Sequence, residues 1–175
     1  MRLAPLLLLA ACAVAPLRTS NTPLALDARQ LEGTWHVGGT TFPMWRDGTK
    51  TAPRFEYSRL ETRDGVTTMD DRVSYLEAGK PGAIEGIDTQ SPDVPTHFTW
   101  RGRGLLGLFR SDWDVVFVDP KGRFAIITFS RTLATPAGLD VISRGPLTDE
   151  AWNEALAEID AQGALRSLAA GLQRI

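Results

Sequence analysis

Between Leu31 and Arg144 the chain alternates short runs rich in β-branched and aromatic residues with turn residues, and no stretch there carries a helical period. This pattern constrains the fold more than any other feature. Parallel strands need a crossover of a dozen or more residues between them, usually a helix, so strands joined this closely pair antiparallel. The expected strands are Gly33–Phe42, Arg54–Thr62, Val66–Leu76, Ala83–Asp88, Thr96–Trp100, Trp113–Val118, Phe124–Phe129 and Leu139–Arg144. Asp64-Gly65, Lys80-Pro81-Gly82 and Asp119-Pro120-Lys121-Gly122 supply turn chemistry between them. Only after Pro146 does the period change. Thr148 caps a helix opening on Asp149-Glu150, with Trp152, Ala155, Leu156 and Ile159 on one face and Gly163 as its stop. A further apolar stripe follows at Leu165, Leu168, Ala169 and Leu172. A doubly wound α/β domain is excluded, leaving a barrel or a two-sheet sandwich. The short connections favour an all-β, eight-stranded antiparallel up-and-down barrel with the C-terminal helix packed outside.

Composition narrows the function. The 175 residues suffice for one domain, and 43% hydrophobic content supports a real core. With 19 basic against 21 acidic residues there is no surplus of positive charge to face phosphates, which argues against a general nucleic-acid binder. The lone cysteine, Cys12, excludes an intrachain disulfide and any multi-cysteine metal site. His36 and His97 show no metal-ligand spacing, and no Gly-x-Ser-x-Gly elbow is present. Gly102-Arg103-Gly104-Leu105-Leu106-Gly107 spells a dinucleotide fingerprint, but Arg110-Ser111-Asp112 leaves no room for the helix it must introduce. It reads as a loop whose Leu105, Leu106, Leu108 and Phe109 either lid the barrel mouth or pack on the sheet. Asp70-Asp71-Arg72 reads as solvated surface with local ion pairs. No catalytic residue, metal or cofactor is expected.

The N-terminus reads as an address. Met1-Arg2 precedes the nearly unbroken apolar run Leu3–Ala11, and the apolar stretch Leu3–Leu17 is too short and too interrupted by Pro5 and Pro16 for a permanent membrane span. Leu9-Ala10-Ala11-Cys12 resembles the lipobox of bacterial lipoproteins, which implies a signal peptide over residues 1–11 and lipidation of Cys12, with several acyl chains giving firm anchorage. Ordinary cleavage after Ala13, discarding Cys12, is the alternative, and then the protein is secreted or periplasmic. Ala13 behind the cysteine resembles proteins sorted to the outer membrane. Residues 12–30 read as a tether ending in a helical turn around Ala28-Arg29-Gln30, and residues 31–175 as the barrel with its C-terminal helical segment.

Three regions in order resemble the lipocalin family, most nearly its bacterial outer-membrane lipoprotein branch. Gly33-Thr34-Trp35 resembles the Gly-x-Trp start of the first strand. Phe117-Val118-Asp119 before a turn resembles the second region, and Val141-Ile142-Ser143-Arg144 the third. The resemblance implies scaffold roles: Gly33 turns the chain at the closed end, Trp35 plugs it, Asp119 holds the turn, and Arg144 lies across Trp35 while bonding nearby carbonyls. The sequence departs from the family at Val118-Asp119-Pro120, where Thr-Asp-Tyr is usual. It departs again at Gly38-Gly39, expected to alter the cavity or its mouth, and in a long first loop, Phe42–Pro53.

What the resemblance implies is a cavity for a small hydrophobic ligand such as a fatty acid or lysophospholipid. Phe55, Tyr57, Phe98, Trp100, Phe117 and Phe124 are its expected lining, and Arg54, Arg101 or Arg103 meet a polar head. The expected partners are that ligand and a membrane reached through the lipid anchor, with the protein a monomer or weak homodimer. Two alternatives stand beside this reading. One is an enzyme on the same barrel, marked by a buried acid or histidine of perturbed pKa beside the cavity. The other is a structural or partner-binding envelope protein with a side-chain-filled barrel and no ligand cavity.

Overall fold

A computed structural model describes residues 25–132 and 135–175. The expected signal peptide, Cys12 and most of the expected tether lie outside the described residues. Eight strands run in chain order: β1 (Gly33–Thr40), β2 (Lys50–Arg63), β3 (Val66–Glu77), β4 (Lys80–Gln90), β5 (His97–Gly102), β6 (Arg110–Val118), β7 (Phe124–Phe129) and β8 (Gly138–Ser143). Each pairs antiparallel with its sequence neighbour, and β8 returns to β1, closing an up-and-down barrel. Closure uses β1 twice, since Gly33–His36 pair with β2 and His36–Thr40 pair with β8. Where β1 and β2 part, the chain end adds a two-residue strand, β9 (Gln173–Arg174), opposite Thr40 and Gly39.

The turn at Asp64-Gly65 forms as expected, both residues at positive φ (50° and 79°) as a tight hairpin requires. The next turn is shifted. Ala78 and Gly79 take positive φ, and Lys80-Pro81-Gly82 belongs to β4, paired with Tyr75–Glu77 of β3. The left-handed Ala78-Gly79 turn thus overrides the stronger-looking Pro-Gly signal.

Alternation sorts the side chains between two cores. The barrel interior holds Trp35, Val37, Phe55, Tyr57, Met69, Val73, Phe98, Trp113, Val115, Ala125, Ile127 and Ile142, all buried. Helix α2 (Asp149–Ala161) lies outside, capped by the Thr148 hydroxyl, which accepts from the Ala151 amide at 3.2 Å. Its buried face, Ala151, Ala155 and Ile159, covers Phe124, Ile126, Leu139 and Val141 on the outer surface of β7 and β8. Leu165, Leu168, Ala169 and Leu172 extend this outer layer. Gly38 and Gly39 belong to this layer and not to the cavity. A bulge separates Val37 from Gly39, and a Cβ on Gly38 would lie 2.6 Å from Leu147, while one on Gly39 would overlap the Trp152 ring. The glycines let the helix approach the strand. The first loop carries α1 (Pro43–Arg46), which buries Trp45 against Tyr75. Phe42 meets Phe129 edge-on at 5.4 Å. Loop Phe42–Pro53 therefore contributes core at the end of the barrel opposite Gly33.

Candidate functional site

One end of the barrel is sealed by the residues expected there. Trp35 is buried and donates its indole N–H to the Leu31 carbonyl at 2.7 Å. The Arg144 guanidinium lies 3.8 Å from the Trp35 ring centroid and donates to the carbonyls of Glu32 (2.8 Å) and Gln30 (2.7 Å). Gly33 sits at φ +103°, and a Cβ there would stand 3.0 Å from the Arg144 guanidinium, so the glycine serves both the turn and the plug. Leu26, before the 3-10 turn Ala28–Gln30, and Ala28, its first residue, are buried in the same core, so the end of the expected tether belongs to the folded base. Asp119, also buried, accepts from the Arg123 backbone N–H (3.0 Å) and from its guanidinium (2.8 Å), and Arg123 reaches on to Glu150 and Glu154 of α2. Hydrogen bonding from Arg123 holds the Asp119 carboxyl below its ordinary pKa. These four residues form scaffold, joining barrel to plug and turn to helix.

The cavity lies above this plug. It has a volume of about 110 Å³ and is lined by Phe55, Tyr57, Asp71, Val73, Ile84, Trp100, Ser111, Trp113 and Phe129. Ile84, Trp100, Ser111 and Phe129 are half-buried, whereas Phe55, Tyr57, Asp71 and Trp113 are buried, so exposure falls from one side of the cavity to the other. The rings are continuous: Phe55 stacks on Tyr57 (6.0 Å), Tyr57 on Trp113 (5.8 Å), and Trp113 on Phe98 (4.4 Å). Trp100 lies over Gly86, where any side chain would displace the indole nitrogen.

Of the six expected lining residues, Phe55, Tyr57 and Trp100 border the cavity and Phe98 backs Trp113 within the same core. Phe117 and Phe124 do not. They face α2, in contact with each other at 5.6 Å. A bulge between Val115 and Phe117 reverses the alternation in β6, turning Phe117 outward and Val118 inward. The arginines expected to greet a polar head also lie elsewhere. Arg54 and Arg101 occupy the exposed face of their strands, Arg101 bonds the Gly107 carbonyl (3.2 Å), and Arg103 pairs with Asp70. Residues Gly104–Leu108 form a 3-10 turn on which Leu105 and Leu108 are 98% and 95% exposed, so neither packs on the sheet.

The chemistry of the interior departs from what the charge run Asp70-Asp71-Arg72 suggests. Asp71 is not surface. Its neighbours Asp70 and Arg72 face outward and make the ion pairs, Asp70 with Arg59 (3.2 Å) and Arg72 with Glu56 (3.2 Å) and Glu85 (3.3 Å). Asp71 points inward between Met69 and Val73 and is paired in register with Tyr57. Asp88 on β4 and Asp140 on β8 are buried too. Asp88 accepts from the Trp113 indole N–H at 2.7 Å and Asp140 from the Thr40 hydroxyl at 2.6 Å. One oxygen of each of the three carboxyls has no hydrogen-bond partner, nor does the Trp100 indole nitrogen. Among the described residues none of these acids is in a salt bridge, although unpaired buried charge is costly. Burial raises all three pKa values: Asp140 to about 7, and Asp71 and Asp88 upward, with Asp88 adding its charge against ionisation of Asp71. Burial, with those carboxylates adding to it, drives the Tyr57 hydroxyl upward as well.

A wider groove of about 430 Å³ runs outside the barrel where β1 and β2 part, bordered by His36, Trp45, Ala52, Pro53, Leu147 and the chain end Arg174-Ile175. It contains none of the buried acids. No group of His, Cys, Asp or Glu suited to a metal ion occurs among the described residues. Comparison with models of known protein families and with curated proteins finds no match to this chain.

Proposed function

We propose that this chain is a lipocalin of the bacterial envelope, anchored through Cys12, that reversibly binds a small and largely apolar molecule inside its barrel. The observation that carries the reading is the ring-lined cavity between Phe55, Tyr57, Trp100, Trp113 and Phe129. Family membership is supported by the Gly33, Trp35 and Arg144 plug, in which the cation stacks on the indole. Ligand size follows from volume. Pockets for drug-sized molecules run from roughly 300 Å³, and an apolar cavity of about 150 Å³ takes up benzene. An interior of about 110 Å³ suits a molecule of a few heavy atoms. A fatty acid or lysophospholipid would need Trp100 and Phe129 to swing aside, and its anionic head finds no inward arginine to pair with.

The test is a titration of intrinsic tryptophan fluorescence, since Trp100 and Trp113 both border the cavity. Small alcohols and amines of four to six heavy atoms should give saturable changes. Ile84→Trp, which fills the half-exposed side, should remove them with the far-UV spectrum unchanged. A wild-type protein that answers to no small molecule is the side-chain-filled structural barrel instead. The enzymatic reading has one observation in its favour, the buried acids of raised pKa beside the cavity. Covalent change in a bound compound, followed by mass spectrometry, would favour it.

A further inference from the structure

The charge of the interior specifies the ligand further than its size does. Asp71 is 6% exposed, lines the cavity, and leaves Oδ1 without a partner; Asp88, fully buried, leaves Oδ2 without one. The two are one step out of register on adjacent strands, Asp71 opposite Gly86 and Asp88 opposite Met69. On one face of a sheet, such diagonal neighbours lie about 7 Å apart, within reach of one small group. None of the nine lining residues is basic, so the protein provides no counter-charge of its own there. Tyr57 and Asp71 are the titratable groups that line this space, from β2 and β3; Asp88 lies behind the Trp113 wall on β4, and Asp140 adds its field from β8. An anion would meet repulsion from them. A hard metal ion would find too few ligands. A protonated amine meets both a carboxylate and ring faces, the two surfaces that stabilise an organic ammonium.

We propose that the barrel binds a small alkylammonium of about five heavy atoms, with Asp71 and Asp88 as its counter-charge and the rings of Tyr57, Trp100 and Trp113 as its walls. This rests on the small-ligand reading above and names the class of that ligand. With one acid of the pair ionised, a single negative charge stands opposite a single positive one. The pairing also accounts for a feature otherwise costly to the fold, two carboxyls held out of water with open acceptor positions.

Three probes of nearly equal shape separate the possibilities: isobutylammonium, isobutanol and isobutyrate, titrated against the purified protein at pH 7.5 with tryptophan fluorescence and calorimetry. Isobutylammonium should bind at least tenfold more tightly than isobutanol, with isobutyrate weaker still. Asp71→Asn and Asp88→Asn should each lower the preference for the ammonium over isobutanol at least tenfold. If isobutanol binds as well as the ammonium, the cation assignment is overturned while the small-ligand reading survives. If none of the three binds, both readings fall. The ranking of probes on the unmodified protein decides the matter even where a carboxamide variant does not fold.

Discussion

Asp140 isolates the effect of a buried acid on stability, because it lies on β8 away from the Asp71–Asp88 pair and its one polar contact is defined. The Thr40 hydroxyl donates to Oδ1 at 2.6 Å and in turn accepts the Phe42 amide at 3.0 Å; Oδ2 has no partner. Burial pushes the carboxyl from 3.8 to about 7, with the Thr40 bond pulling the other way. A group whose pKa is raised on folding contributes stability that is complete below its unfolded pKa and is lost as pH rises through the folded value. At about 1.4 kcal/mol per unit, the contribution of Asp140 falls by about 3 kcal/mol between pH 5 and pH 8. Asp140→Asn keeps an oxygen for the Thr40 hydroxyl and never ionises. In urea denaturation at the two pH values, wild type should lose stability toward pH 8, and the variant should lose about 3 kcal/mol less. Asp71 and Asp88 act in the same direction in both proteins and cancel in the comparison. Equal losses in wild type and variant would refute the assignment of a desolvated, ionisable Asp140.

Arg144→Gln removes the guanidinium that stacks on Trp35 and bonds the carbonyls of Gln30, Glu32 and Thr34, and should cost about 1–2 kcal/mol and lower the melting temperature without altering ligand titrations. Gly86→Ala places a methyl where the Trp100 indole lies; it should red-shift tryptophan emission and weaken probe binding at least fivefold, while a matched change at the open position Gly145 should do neither. Cys12→Ser, expressed as the full chain in a bacterial host, should move the protein from the membrane fraction to the soluble periplasmic fraction and abolish acyl-chain mass on the N-terminal peptide. Unchanged fractionation would sink the anchoring proposal.

Much of the frame could be read from local chemistry. Gly33-x-Trp35, Asp119 before its turn and Arg144 after the last strand mark the base because each meets a backbone requirement that few residues satisfy: a positive φ, a turn amide, a set of free carbonyls. The interior was harder to read. Strict alternation from Trp113 places Phe117 inward, and one extra residue at a bulge reverses it. In Phe124–Phe129 both faces are apolar because α2 covers the outer one, so period alone cannot choose between them. Asp71 was hidden by its neighbours: a run of charges resembles a wet surface, yet Met69, Asp71 and Val73 share one phase. That phase was the available signal. Asp88 and Asp140 follow Ile87 and Leu139 in strands whose register only the closed barrel fixes.

The short strand β9 has a consequence for the seam of the barrel. At Gly39 and Thr40 the first strand has already left β2, and a row of backbone donors and acceptors would stand open there, ready to template another chain. Gln173 and Arg174 occupy that row, the Ile175 amide donates to the Gly38 carbonyl at 3.0 Å, and Arg174 is clamped to Asp149 and to the Leu147 carbonyl. The last three residues thus act as a stopper on the barrel seam. Without these contacts the row of donors and acceptors on β1 would be open to pairing by another strand.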